Sequence, residues 1–535
     1  MTLFLSTIAI LSIIALAAAL FATFVEFKRD LMMLQQNSYR PNRYRRWLTT
    51  SQDTTSAIRL VSGAVALAAM SSLSVPFVGM SLIILISVIN ILRLTRKRYK
   101  KPLVFTPRAC RIYAVMSLLT VLVTGTASVA GYIEGHFLEW GAIAALLCYC
   151  FSHLFTLVAV WLLKPVESHI NKGYCRDAER ILRSMPDLKI IGITGSYGKT
   201  STKHYLNRIL SEHFDVCMTP GSFNTTMGVI RTVREYLKPY NEVFIVEMGA
   251  KQRGDIKEIC DLVHPEVGII TAVGEQHLES FGSIENVQQT KFELVDALPD
   301  CGLAVVNNDF PMAASRRVDN VESLRYAVST PEGADYVAGN VEYSASGTRF
   351  DVTCPDGKVL SFETPLIGEC NVNNLIGAIV VALRMDVPYE KIRYAVSRME
   401  QVEHRLSTKR TPGGVTIIDD AFNSNPTGSA MALDVLAMMK GGRRIIVTPG
   451  MIELGDKQQE LNREFGKKIA VCADLAIVVG EYNREAIVEG IESVTPRNAE
   501  VRTVASFADS QQMLSGVLKA GDTVLYENDL PDTFK

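Results

Sequence analysis

Residues 188–204 read LKIIGITGSYGKTSTKH, and chemistry concentrates in the segment Thr194, Gly195, Ser196, Tyr197, Gly198, Lys199, Thr200 and Ser201. Glycines let backbone N–H groups close around phosphate oxygens, and a helix that starts there points its positive end at them. In that arrangement Lys199 reaches the β- and γ-phosphates, and the Thr200 hydroxyl holds Mg²⁺. The run Ile190–Ile193 ahead of the loop predicts a buried strand, and the residues after it predict a helix, which is the context a phosphate loop needs. The loop is a shortened form, because Ile193 stands where the longer form carries its first glycine. ATP with Mg²⁺ is the expected ligand.

Three further residues carry chemistry beside this loop. Glu247 ends the apolar run Val243–Val246, and an acid at a strand's C-terminal end next to a phosphate loop is placed to bind Mg²⁺; it also fits an ordinary strand-end glutamate. His277 follows the run Val267–Thr271, where it serves equally as a metal or phosphate ligand or as a satisfied loop histidine. Lys291 lies in the helical stretch Asn286–Ala297, and its spacing alone describes a solvated lysine.

The elements that must position these residues read as α/β. Strand-like runs at Lys189–Thr194, Val243–Met248, Val267–Thr271 and Gly302–Val306 alternate with helical ones, the signature of a parallel sheet wrapped by helices. Between Tyr336 and Leu366 the pattern changes to short alternating strands. A second α/β stretch begins near Glu403, with strands at Val415–Asp419, Arg444–Thr448, Leu475–Val479 and Thr523–Tyr526.

The N-terminal part is different. Mean hydropathy is +0.16 over the 535 residues, and the excess lies in five runs: Leu3–Val25, Ala57–Val75, Phe77–Leu92, Ile112–Ile133 and Gly141–Leu163. Each is read as a helix crossing ~30 Å of hydrocarbon, the second and third as a hairpin about Pro76, with Arg59 snorkelling at one end. The first run is too long, lacks a basic start and is followed by further spans, unlike a cleaved signal peptide. Lys28, Arg29, Arg40, Arg43, Arg45 and Arg46 follow the first run, and a second basic cluster from Arg93 to Arg111 follows the third. The loops Ser74–Gly79 and Glu134–Trp140 carry no Lys or Arg. This alternation predicts an outside N-terminus and catalytic domains in the cytoplasm of a multi-pass cell-membrane protein. A net charge of −1 argues against a nucleic-acid partner. Ten cysteines without a CxxC pair indicate neither a zinc site nor a disulfide scaffold.

The motifs TGSYGKTS (194–201), GSFNTTMG (221–228), VEMGAKQRGDI (246–256), GEQHLESFGS (274–283) and TKFEL (290–294) resemble the Mur ligase family, in the family's order. GECNVNNLIGAIVVAL (368–383), IIDDAFNSNP (417–426) and PGMIELGD (449–456) resemble the branch that adds D-alanyl-D-alanine to a UDP-linked muramoyl tripeptide. The resemblance covers about residues 186–490. With the apolar runs ahead of it, the chain divides into a transmembrane domain (1–165), a connector (166–185), a central ATP-binding domain (186–402) and a Rossmann-like C-terminal domain (403–535), the last two as the resemblance implies. The resemblance also implies an ATP-dependent amide ligase acting through an acyl phosphate. By the family pattern Thr200 and Glu247 hold one Mg²⁺. His277 helps hold a second, with Lys291 N-carboxylated as an anionic ligand. Asn224 lines the nucleotide–metal site, Asn374 lies near the base, Arg405 at the phosphates and Asp420 on the ribose. Asn423 and Asn425 shape the side of the incoming amine.

The chain departs from that pattern where it bears on substrate. The N-terminal UDP-binding domain is replaced by membrane spans, His404 stands where a glycine precedes Arg405, and Pro-Gly-Met replaces Gly-Asp-Met at 449–451. The expected acceptor is a small-molecule or, better, a lipid-linked carboxylate of a cell-wall or surface-polymer precursor, and the amine an amino acid or dipeptide. The spans suit anchoring, contact with membrane lipid, or recruitment of membrane-protein partners. Alternatives are a poly-γ-glutamate synthetase or lipid II amidating type of enzyme, the latter normally carrying a four-cysteine zinc ribbon, and a non-catalytic ATP-binding scaffold.

Overall fold

The computed structural model describes residues 2–529 apart from 98, 100, 345–346 and 422–423, with side chains from residue 7 onward. The expected contact residue Asn423 therefore lies outside the described residues. The chain divides into two compact units, at Lys172/Gly173.

The first unit is helical: Thr2–Gln36, Pro41–Thr50, Ala57–Ser71, Pro76–Arg96, Pro107–Ile133, Phe137–Cys150 and the start of Ser152–Arg183. The five expected spans become three long apolar helices, with a fourth if the last two helices, bent by 77°, form one broken span. The second run gives a helix of only 15 residues, about 22 Å at 1.5 Å per residue and short of the ~30 Å core. The hairpin about Pro76 is present, with the helix beginning on that proline. Small side chains (Ala15, Ala19, Ala22, Ala66, Ala69) fill the crossings, and a Cβ on Gly141 would sit 2.4 Å from Ser128 Oγ, so the helices approach one another closely.

A buried ionic cluster holds this unit together. Arg59 does not snorkel: it is 3 % exposed. Its Nη2 meets Glu26 at 2.7 Å and Asp53 at 3.1 Å, and its Nη1 donates to the carbonyls of Tyr149 and Cys150 at 3.0 Å each. The bend at Phe151 frees those carbonyls, and Arg59 satisfies them. Ser152 Oγ donates to Asp30 at 2.5 Å, and Arg29 pairs with Glu26 and Asp53. Expectation missed the acids Glu26 and Asp30, which follow the apolar run but lie inside the same helix, Thr2–Gln36.

The second unit holds two sheets. The first contains β1 (Lys189–Thr194), β2 (Val216–Met218), β3 (Val243–Glu247), β4 (Val267–Ile270), β5 (Leu303–Asn307), β6 (Glu322–Ala327), β7 (Tyr336–Ser344), β8 (Gly347–Thr353) and β9 (Val359–Thr364), in the order β2-β3-β1-β4-β5-β6-β7-β8-β9. Pairing is parallel as far as β7, and β8 and β9 close the edge antiparallel. The alternating strands read near Tyr336–Leu366 thus extend the parallel sheet. β1 and β3 carry unbroken apolar stretches because both faces are covered by helices. The second sheet contains β10 (Ser407–Arg410), β11 (Thr416–Asp420), β12 (Arg444–Thr448), β13 (Leu475–Val479), β14 (Glu500–Val504) and β15 (Thr523–Glu527), in the order β10-β11-β15-β12-β13-β14, with only β10 antiparallel. The strand order of the first sheet reverses beside β1, and open α/β sheets bind ligands at such a point, outside the strands' C-terminal ends.

Candidate active site

The loop between β1 and the helix Lys199–Leu210 is held rigid from below. Thr194 Oγ1 donates to the Met248 carbonyl (2.8 Å) and Thr271 Oγ1 to that of Tyr197 (2.6 Å), while Ser196 N donates to Ala272 O (2.8 Å). Two glycines are obligatory. Gly195 has φ +154°, and a Cβ there would lie 2.1 Å from Thr271 Oγ1; Gly198 has φ +82°, and its Cβ would lie 2.3 Å from Asn374 Oδ1. Gly198 is also the residue at which the helix begins, so free N–H groups of its first turn face the loop.

Lys199 folds back and donates to the carbonyls of Gly195 (2.6 Å) and Ser196 (3.1 Å). Burial pulls its ammonium down to about 8, with Glu247 opposing and Arg405 assisting. A neighbouring anion would restore its charge.

Glu247, at the end of β3 and 1 % exposed, is the hub. The Thr200 hydroxyl donates to its Oε1 at 3.2 Å and Asn224 Nδ2 does so at 3.1 Å, while Lys203 Nζ lies 3.0 Å from Oε2. Burial works against ionisation, but Lys203 and Lys199 outweigh it and hold the carboxyl below its usual range. Lys203, four residues after Lys199 and therefore on the same helix face, was not singled out from sequence; the i, i+4 lysine spacing was its only signal.

Lys291 is no solvated lysine. It is 2 % exposed, on the helix Ile284–Asp296, with its Nζ 5.9 Å above the Phe281 ring. Burial and the charge of Lys199 drive its ammonium well below the lysine range. His277, in a left-handed backbone conformation (φ +54°), turns Nδ1 to the carboxylate of Glu453. Burial lowers its imidazole and Glu453 counteracts, with Lys251 and Lys291 adding to the lowering. Burial opposes ionisation of Glu453, but His277 and Lys251 hold it at about 2. Glu453 belongs to the MIELG segment read in the sequence, where no role was assigned to it. It is part of a bridge between the two sheets' loops, with Lys457–Glu275 (2.6 Å) and Lys251–Glu453 (3.4 Å).

A cleft of about 690 Å³, including its open mouth, runs from the phosphate loop to the second sheet; Tyr197, Gly198, Ser201, Asn374, Arg405 and Asp420 line it. Its far wall includes Asn425, whose Oδ1 accepts from Gly428 N at 2.8 Å and caps the helix Pro426–Met438. Asn425 thus lines the cleft with its amide oxygen engaged by its own helix. Asp420 Oδ1 accepts from Leu406 N (3.1 Å), and burial raises its carboxyl to about 6 with Arg405 pulling down.

The Mur ligase middle domain family matches residues 193–382 and the Mur ligase glutamate ligase domain family residues 404–526. The UDP-N-acetylmuramoyl-tripeptide–D-alanyl-D-alanine ligase of Bacillus subtilis is 30 % identical over 63 % of this chain and 72 % of its own length. Its counterpart from Mycobacterium tuberculosis H37Rv is 33 % identical over 63 % and 70 %. Among solved structures, MurF from Acinetobacter baumannii superposes with a TM-score of 0.61 at 25 % identity, covering 67 % of this chain and 77 % of its own. With its phosphate loop, its two α/β sheets and these relatives, the chain belongs to the Mur ligase family of ATP-dependent amide ligases.

Proposed function

We propose that this chain is a membrane-anchored, MurF-like ligase that joins an amino acid or dipeptide to a carboxylate of a lipid-linked cell-wall or surface-polymer precursor, with its catalytic domains in the cytoplasm. The observation that carries the ligase reading is the Thr200 hydroxyl and Asn224 amide converging on one oxygen of Glu247 beside a preformed phosphate loop. The donor set fits Mg²⁺, a hard cation that takes hydroxyl and carboxylate oxygen. Bound by Thr200 and Glu247, and at a second position by His277 and an N-carboxylated Lys291, Mg²⁺ would supply neutralisation of triphosphate charge. A buried lysine kept neutral is the nucleophilic form that adds CO₂, which supports the carbamate at Lys291.

The chain's own groups then act as follows. The loop N–H groups and Lys199 hold the triphosphate, Ser201 and Asn374 line the nucleotide side, and Arg405 approaches from the second sheet's side. The acceptor carboxylate attacks the γ-phosphorus, the bond to the β-phosphate oxygen breaks, and ADP leaves an acyl phosphate. The amine nitrogen then attacks the acyl carbon, sheds a proton, and expels phosphate. Two anions meet in the first step, so the cations around Glu247 lower its barrier. The bridge through Glu453 ties the two sheets' loops together, and shielding from water on that side would protect the acyl phosphate.

The curated relatives take their name from a UDP-linked acceptor and D-alanyl-D-alanine. Apolar helices precede the ligase domains here, which favours an acceptor held at the membrane. Full-length protein in nanodiscs, given ATP, Mg²⁺ and D-alanyl-D-alanine, is expected to release phosphate faster with lipid-linked muramoyl tripeptide than with the soluble UDP form. Preference for the soluble form overturns the lipid-linked acceptor, and no phosphate release with either overturns the MurF-like reading.

A further inference from the structure

Glu527 ends β15, fully buried, beside the nucleotide cleft. The strand register pairs it with Asp420 at the end of β11, and the two carboxyls meet. Oε1 accepts from the hydroxyls of Ser424 and Ser429, each at 2.5 Å. Oε2 is buried with no donor among the described residues. Two touching carboxyls cannot both ionise away from water, and one proton between them satisfies both. Asp420 is the easier to ionise, since it has Arg405 and the Leu406 N–H. Burial and Asp420 raise Glu527 well above the carboxyl range. The other titratable groups bearing on Asp420 are Asp419, itself paired with His404 at 2.7 Å, and Cys370.

We propose that Glu527 is a positioning residue for the nucleotide: as a neutral carboxylic acid it donates a hydrogen bond to Asp420, aiming that carboxylate at the ribose, while it accepts from Ser424 and Ser429. The inference rests on the reading that Asp420 meets the ribose.

The test is ADP binding to the full-length protein with Mg²⁺, measured by calorimetry from neutral to alkaline pH, together with infrared spectra of the protein. Glu527→Gln, whose amide still donates, is expected within about twofold of the native affinity. Glu527→Ala loses about tenfold, the worth of one hydrogen bond to a charged group. Native affinity falls as pH rises and the shared proton leaves, and Glu527→Gln lacks that fall. A protonated-carboxyl C=O band present in the native protein disappears in Glu527→Gln, and this reading needs only the isosteric variant. Unchanged affinity in Glu527→Ala, equal loss in both variants, or persistence of the band overturns the proposal. Asp420→Asn separates the two readings. If it binds ADP as tightly as the native protein, the ribose assignment falls and takes this inference with it. If it binds weakly while Glu527→Gln fails the test, only the role of Glu527 falls.

Discussion

Lys291 combines burial with a neighbouring cation. Its spacing describes a surface lysine, yet it lies buried over Phe281, near Lys199, with its ammonium form disfavoured. Burial of a cation beside another cation is costly, and such sites are where function concentrates. If a carbamate forms there, Lys291→Ala is expected to lose at least about a hundredfold in turnover, about 2.7 kcal/mol of barrier. Short carboxylic acids should restore part of it by supplying the missing oxygens. Phosphate release at the native rate without additives would refute the carbamate. The phosphate loop was legible residue by residue because its glycines answer local demands. Gly195 and Gly198 need positive φ and have no room for a Cβ. Lys203, Glu453 and Glu527 were not legible, because each acquires its role from a partner distant in the chain: Glu247, His277 and Asp420.

At the scale of elements, β1, β12 and β13 fall on the ranges expected, because an apolar run of five or six residues between turns is short for a helix and suits a buried strand in an alternating α/β chain. β2, with three residues, and β14, an edge strand with alternating polar side chains, gave no such run. That β7–β9 continue the first sheet is a matter of edge pairing, which periodicity does not encode. Charge inside apolar helices is another long-range matter. Arg59 pairs with three acids and donates to two carbonyls, drawn from three other segments. Breaking a buried ionic cluster by removing one partner costs about 3–5 kcal/mol. Arg59→Ala is therefore expected to lower the melting temperature of the helical unit in detergent by several degrees. An unchanged melting temperature would mean that the cluster contributes nothing to stability.

For the molecule as a whole, charge and length give opposing answers about Ala57–Ser71. Its 15 residues are few for a crossing. Yet basic clusters flank it and its hairpin partner on one side only, and the Ser74–Gly79 turn has none. The proposed orientation makes the short helix cross, with the bilayer thinned around it. Reporter fusions at Ser74 and Gly135 should then read outside, and fusions at Arg43 and Lys101 inside; a cytoplasmic signal at Ser74 would make the hairpin re-entrant. The ionic cluster also sets a timetable for biosynthesis. In the proposed membrane setting, Glu26 is synthesised 33 residues before Arg59, and the Tyr149 carbonyl 90 residues after it. Until then, among the described residues, the only cation paired with Glu26 is Arg29 of its own helix. A nascent chain halted before Arg59 would lack that second cation and, with it, the donor that later meets the Tyr149 and Cys150 carbonyls.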